Sequence, residues 1–251
     1  MIIFCANRQS GRFAKPANPL GWDHRSPERT KVEIEPPKEP AHLSVYRGIR
    51  DLILSGDLAP GHPVTIQGLV TRLDAGVTPV REAIRRLTSE GALQFHDNRR
   101  VTVPVLTVAQ VDELILARNA LEPHLARLGA ERATAQDIEV LAAIDAAHTA
   151  AIAEGNTRHY MVQNHRFHMT LYALAGTEVI LPVVEALWLR SAPALRVMCG
   201  RFGTSNLPDM HQAALSAMRA GDLAGVAEAI RLDILQGMEN VRELLVEAQP
   251  G

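Results

Sequence analysis

The chain has 251 residues, 47% hydrophobic and 22% charged, the balance of an ordinary globular protein with room for two small domains. Two cysteines, Cys5 and Cys199, without C-x-x-C spacing exclude a disulfide framework or a thiolate zinc module. The opening MIIFCANRQS lacks the basic lead and length of a signal peptide, and no apolar run approaches the ~20 residues of a membrane span, so a cytoplasmic location without membrane attachment is expected.

Charge is uneven along the chain. Residues 41–104 carry 8 arginines against 6 acids, whereas residues 105–251 carry 11 basic and 17 acidic side chains. That change of sign suits a nucleic-acid module joined to a separate acidic one. Residues 1–40 hold six prolines and no sustained period, and are expected to be a disordered leader.

From residue 41 the pattern tightens. Val45, Ile49, Leu52 and Ile53 make a helical stripe that ends at Gly56. Pro60-Gly61 marks a turn, and Thr65 is a candidate N-cap for a short helix with Ile66, Leu69, Val70 and Leu73 inward. A break over Asp74 to Val77 leads into a third helix, with Val80, Ala83, Ile84 and Leu87 on one face and Gly91 as its stop. Leu93 and Phe95, then Val101, Val103 and Val105, alternate with polar residues around the tip HDNRR and predict a β-hairpin. Helix, helix, turn, helix and two-stranded wing is the order of a winged helix-turn-helix, expected over residues 41–105.

In such a module the second helix of the pair enters the major groove. Thr78, Arg81 and Arg85 lie off the apolar face of the third helix, and a guanidinium donates two parallel bonds to a phosphate or a guanine edge. Arg99 and Arg100 at the wing tip can reach the backbone or minor groove. These five residues are the candidate contacts to double-stranded DNA, with two half-sites read by a homodimer.

After residue 105 the pattern is helical throughout, with candidates at 108–131, 135–154, 157–175, 178–199, 206–220 and 222–247. Thr134 and Asp222 are candidate N-caps, and Pro123 is expected to kink its helix. The fold class is therefore mainly α, a winged helix followed by an all-helical bundle over residues 106–247 with its own core and an internal pocket. Arg118 and Glu122, at i and i+4, read on their own as a surface ion pair.

The stretches IRDLILSGDLAPGHPV and TPVREAIRRLTSEGAL, followed by the wing, resemble the GntR family of bacterial transcription regulators. ARNALE (117–122), NHRFHMTLYALAG (164–176) and HQAALSAMRAGD (211–222) are similar to the helical FCD ligand domain of its FadR-like branch. Gly76 and Val77 stand where the family usually has Ser-Arg or Thr-Arg, and Arg100 where the wing usually has Gly. The resemblance implies a regulator whose C-terminal bundle takes a small organic acid effector, with Arg118 and Glu122 lining the cavity and Arg118 gripping a carboxylate.

It further implies a divalent metal, Zn²⁺, Ni²⁺ or Mn²⁺. The family's usual Asp, His, His and His correspond here to Asn164, His168, His211 and Asp233. His165 is a spare ligand candidate, while His124 and His148 have no partner pattern and are assigned nothing. The alternative is a metal-dependent enzyme using His168, His211 and Asp233, but no nucleophile, general base or P-loop accompanies them.

Overall fold

The computed structural model describes residues 40–97, 100–202 and 208–248, with the side chains of 200–202 left aside. The expected leader, apart from Pro40, and the wing-tip residue Arg99 lie outside the described residues. Three helices come first, α1 (Ala41–Leu54), α2 (Ile66–Leu73) and α3 (Val77–Ser89). Thr65 caps α2 by accepting from Gly68 N, as its spacing predicts. Asp74, in the left-handed conformation at φ 47°, and Ala75 make the tight turn into α3, which starts at Val77 and so shortens the expected break. Gly91 takes φ 73° just past the end of α3 and lets the chain reverse into the wing.

The wing differs from a plain hairpin. β2 (Gln94–Phe95) and β3 (Val101–Thr102) pair antiparallel, and β3 also pairs with β1 (Pro63–Val64), giving sheet order β1-β3-β2. With only two residues per strand, the expected inward alternation fails at its ends. Leu93 and Val103 are buried, but Phe95 is 58% and Val105 61% exposed, since each lies where the sheet no longer backs onto the core.

Six further helices follow: α4 (Val108–Arg132), α5 (Ala135–Ala153), α6 (Thr157–Ala173), α7 (Ile180–Phe202), α8 (Met210–Ala220) and α9 (Leu223–Glu247). Their starts are written in the sequence. Thr107 and Thr134 form capping boxes with Gln110 and Asp137, and Asp222 caps α9 by accepting from Gly225 N. Pro123 sits inside α4 and Pro193 inside α7. In the bundle α4 packs mainly on α9, α6 and α7, while α5 packs on α6 and α8. The buried apolar residues of the winged helix and of the bundle form one contiguous core, and α1 rests on α7 and α6. No helix among the described residues is long and apolar enough to cross a membrane.

Gly129 of α4 sets the distance to α6. A Cβ there would run into the backbone carbonyl oxygen of Leu171, which cannot swing aside. Gly129→Ala is therefore expected to lower stability by about 1–3 kcal/mol, the usual range for overpacking. Denaturant unfolding measures it, and an unchanged midpoint would mean that α4 and α6 do not meet there.

Candidate functional site

The first candidate surface is a cleft of about 1050 Å³ between α3 and the wing. Arg81, Ile84, Arg85, Thr88 and Ser89 of α3 form one wall, and Phe95, Asp97, Arg100 and Val101 the other. Thr78, Arg81, Arg85 and Arg100 are exposed. The third arginine of α3 is used internally: Arg86 bonds Glu90 at 2.9 Å and stacks on the Tyr46 ring at 3.8 Å. Tyr46 in turn donates to Glu90, and burial together with that carboxylate pushes its hydroxyl up to about 12. The cleft is lined by Arg81, Arg85 and Arg100 beside the exposed Phe95.

The second candidate is a polar centre inside the bundle. Arg118 and Glu122 are not a surface pair: both are buried, with Arg118 Nε 2.5 Å from Glu122 Oε1 and Nη2 3.2 Å from Oε2. Burial opposes the Arg118 charge, but Glu122 outweighs it and holds the guanidinium protonated. Glu122 also accepts from the Tyr172 hydroxyl at 2.8 Å and from Trp188 Nε1 at 3.1 Å. One edge of the guanidinium and both carboxylate oxygens are therefore committed within the protein. The remaining nitrogen of Arg118 reaches Ser191 Oγ at 3.5 Å.

This network fixes His168. The Tyr172 proton goes to Glu122, so the Tyr172 oxygen, 2.9 Å from His168 Nδ1, must accept, and Nδ1 carries the ring proton. His211 Nδ1 lies 3.1 Å from the Asp145 carboxylate and must likewise be the donor. Each imidazole then turns a bare Nε2 lone pair inward. The two Nε2 atoms are 3.3 Å apart, and Asp233 Oδ2 is 3.0 Å from that of His168. Burial lowers the His168 pKa, opposed by Asp233. Burial would raise Asp233, but His168, His211 and Arg118 outweigh it and keep it ionised well below the usual carboxylate range. With both imidazoles neutral, the form that burial favours for His168, three electron-pair donors face one another. Ligands about 2.1 Å from one cation stand about 3.0–3.4 Å apart, so the spacing and donor types fit a divalent metal.

The four metal candidates do not stand equally. His168, His211 and Asp233 converge. Asn164 lines a chamber of about 40 Å³ with Arg118, Trp188, Cys199 and Asp233. A vestibule of about 440 Å³ shares Tyr160, Asn164, Asp233 and Gln236 with it and adds His148 and His211. His165 is not in the cluster: it packs edge-on against Trp188 at 5.4 Å between ring centres, and burial pushes it down to about 4. His148, which spacing left unassigned, joins the outer layer, 3.9 Å from Asp145 and tilted against His211 at 4.8 Å.

Sequence reasoning missed Asp145, Tyr172, Trp188 and Ser191. Asp145 gave a faint signal, a lone acid in AAIDAAH three residues before a histidine. Tyr172 lies one turn beyond His168 on the same face.

A winged helix with an arginine-bearing groove helix, joined to a bundle with a buried histidine–carboxylate centre, defines a ligand-binding transcription regulator. The model of the bacterial regulatory proteins of the gntR family matches residues 42–103, and that of the FCD domain residues 113–235. The chain belongs to the GntR family of transcriptional regulators with an FCD effector domain.

It is 27% identical to the HTH-type transcriptional regulator McbR of Escherichia coli K12 over 73% of this chain and 84% of that one. It is 26% identical to the HTH-type transcriptional repressor RspR of the same strain, over 84% and 93%. The solved structure of E. coli McbR/YncC superposes with a TM-score of 0.76 at 25% identity, covering 82% of this chain and 99% of that one. The matched families and relatives are regulators, so the enzyme reading is not supported.

Removing Glu122 would strand a buried guanidinium. Glu122→Ala is expected to cost about 3–5 kcal/mol of stability, read by urea unfolding. A loss below about 1 kcal/mol, the range of a solvent-exposed pair, would contradict the buried pairing.

Proposed function

We propose that this regulator binds operator DNA as a homodimer through α3 and the wing, under control of a small organic acid that enters a metal-loaded bundle. The observation that carries the reading is the convergence of two imidazole lone pairs and the Asp233 carboxylate, which a cation would relieve. His168, His211 and Asp233 hold the metal and Asn164 is a neutral fourth partner. With one carboxylate and two imidazoles the set is harder than the family's usual pattern, which suits Mn²⁺ or Ni²⁺ as well as Zn²⁺.

Charge dictates the order of binding. Arg118 is offset by Glu122, and Asp145 and Asp233 remain as buried or half-buried carboxylates. An organic anion entering this chamber alone would meet net negative charge; with a divalent cation in place that charge is neutralised. The effector carboxylate therefore docks onto the metal from the vestibule, and the Arg118 nitrogen that Ser191 holds only loosely, at 3.5 Å, orients it. Arg81 and Arg85 contact base edges or phosphates, Thr78 lies at the helix start, and Arg99 and Arg100 serve the wing. Two heads are needed because one winged helix covers little DNA, and a dimer links two half-sites about 34–36 Å apart. Such a protein works in the cytoplasm, where bacterial DNA is.

Elemental analysis of protein purified without chelator is expected to find about one divalent ion per chain, lost in His168→Ala and His211→Ala. Tyr172→Phe, which frees the His168 tautomer, is expected to weaken the metal about 10–100-fold. Wild-type protein without metal and without stabilisation by added Zn²⁺, Ni²⁺ or Mn²⁺ would overturn the metal reading.

For the DNA surface, Arg81→Ala is expected to lower affinity for a duplex enriched from a random pool by about 1–3 kcal/mol. Stability should change by no more than about 0.5 kcal/mol, because the side chain is exposed. Unchanged affinity would remove Arg81 from the interface.

A further inference from the structure

Helix α7 has two working faces. Its inner face belongs to the buried centre: Trp188 donates to Glu122, Ser191 takes the last nitrogen of Arg118, and Met198 and Cys199 line the chamber. Its outer face meets the winged helix at three points. Glu185 pairs with Arg50 of α1 at 3.2 Å. Arg190 lays its guanidinium over Gly91, the left-handed glycine that ends α3; the place a Cβ would take there is 2.7 Å from Arg190 Cζ. Arg196 lays its aliphatic stem over Gly56, the left-handed glycine that ends α1, with its Cβ and Cδ each 2.7 Å from the equivalent place.

Both glycines are needed for their positive φ, and both leave open the space that an arginine then fills. A guanidinium at a helix C-terminus also meets the partial negative charge of the last carbonyls. Among the described residues neither arginine has a carboxylate partner, so their contacts with the two helix ends are not by-products of ion pairing. Pro193 stands between the two arginines. It has no N–H to give to the carbonyl of Leu189, so α7 lacks a rung of its ladder midway between the two grips.

We propose that Arg190 and Arg196 are positioning residues for DNA recognition. They clamp the C-terminal ends of α3 and α1, and through α7 they pass the state of the His168–His211–Asp233 centre to the groove-reading helix. The proposal rests on the metal-site reading above for its input, while the clamp itself stands on geometry alone. Loading the centre shifts the inner face of α7, the missing rung at Pro193 lets its two halves respond separately, and the arginines carry the movement to the recognition helix. A ligand has this effect only if it binds the two arrangements of α7 unequally.

The test compares full-length wild type, R190A/R196A and R190K/R196K. Hydrogen exchange is followed at the amides of Ala92 and Leu93, which both bond the Leu87 carbonyl, with the amides of α5 as an internal control. In metal-free protein, R190A/R196A is expected to speed exchange at Ala92 and Leu93 by at least about fivefold and to leave α5 unchanged. R190K/R196K, which keeps stem and charge, should restore much of the protection.

Zn²⁺ is then titrated calorimetrically, and affinity is measured with and without Zn²⁺ for a duplex enriched by wild type from a random pool. Wild type is expected to show at least about a fivefold change in DNA affinity on loading. In R190A/R196A that ratio should fall to within about twofold of unity, with Zn²⁺ affinity retained. A full ratio in R190A/R196A overturns the proposal, as does unchanged exchange at Ala92 and Leu93. If wild type takes up no Zn²⁺, the metal reading fails and with it the signal, while the metal-free exchange still decides whether the clamp exists.

Discussion

The buried pair of Arg118 and Glu122 is the constraint on which the centre of the bundle depends. A guanidinium and a carboxylate removed from water are tolerated only when every remaining lone pair and N–H is answered. Here the answers come from Tyr172 on α6 and from Trp188 and Ser191 on α7. Satisfying Glu122 fixes the direction of the Tyr172 hydroxyl, and that direction fixes the proton on His168. A pair whose desolvation offsets much of its own attraction thus decides the chemistry two side chains away. Asp145 does the same for His211 from α5, so the two imidazoles are oriented by independent supports.

The same pair locates α7 in the function. One helix supplies Trp188 and Ser191 to the Glu122–Arg118 network and Glu185, Arg190 and Arg196 to the winged helix. The winged helix joins the bundle covalently through the connection into α4, and by packing through α1, which rests on α7 and α6. The vestibule, lined by His148 and Gln236 among others, shares no lining residue with the cleft beside α3.

Much of the fold was legible because its signals are local. Thr107, Thr134 and Asp222 mark helix starts through bonds spanning three residues, and the glycines at 91, 155, 176 and 221 mark helix ends through their positive φ. β1 was not legible: a two-residue strand exists only by pairing with β3, thirty-odd residues on. His168, His211 and Asp233 followed from a family resemblance, and the structure brings them together. The burial of Arg118 and Glu122 could not be read from i, i+4 spacing, which is the same on a solvent-facing helix. Asp145, Trp188 and Arg190 act across helices, and only tertiary packing reveals what they touch.

The central claim is that His168, His211 and Asp233 form a metal site whose histidines coordinate through Nε2 because Tyr172 and Asp145 hold their Nδ1 protons. A crystal structure of the metal-loaded protein, with anomalous data collected at the edge of the bound metal, tests it most directly. The account predicts one anomalous peak about 2.0–2.2 Å from His168 Nε2, His211 Nε2 and an Asp233 oxygen, with the Tyr172–Glu122 and Asp145–His211 bonds intact. A loaded crystal with no peak among these three atoms, or with the metal on an Nδ1 and the Tyr172 bond broken, would contradict it.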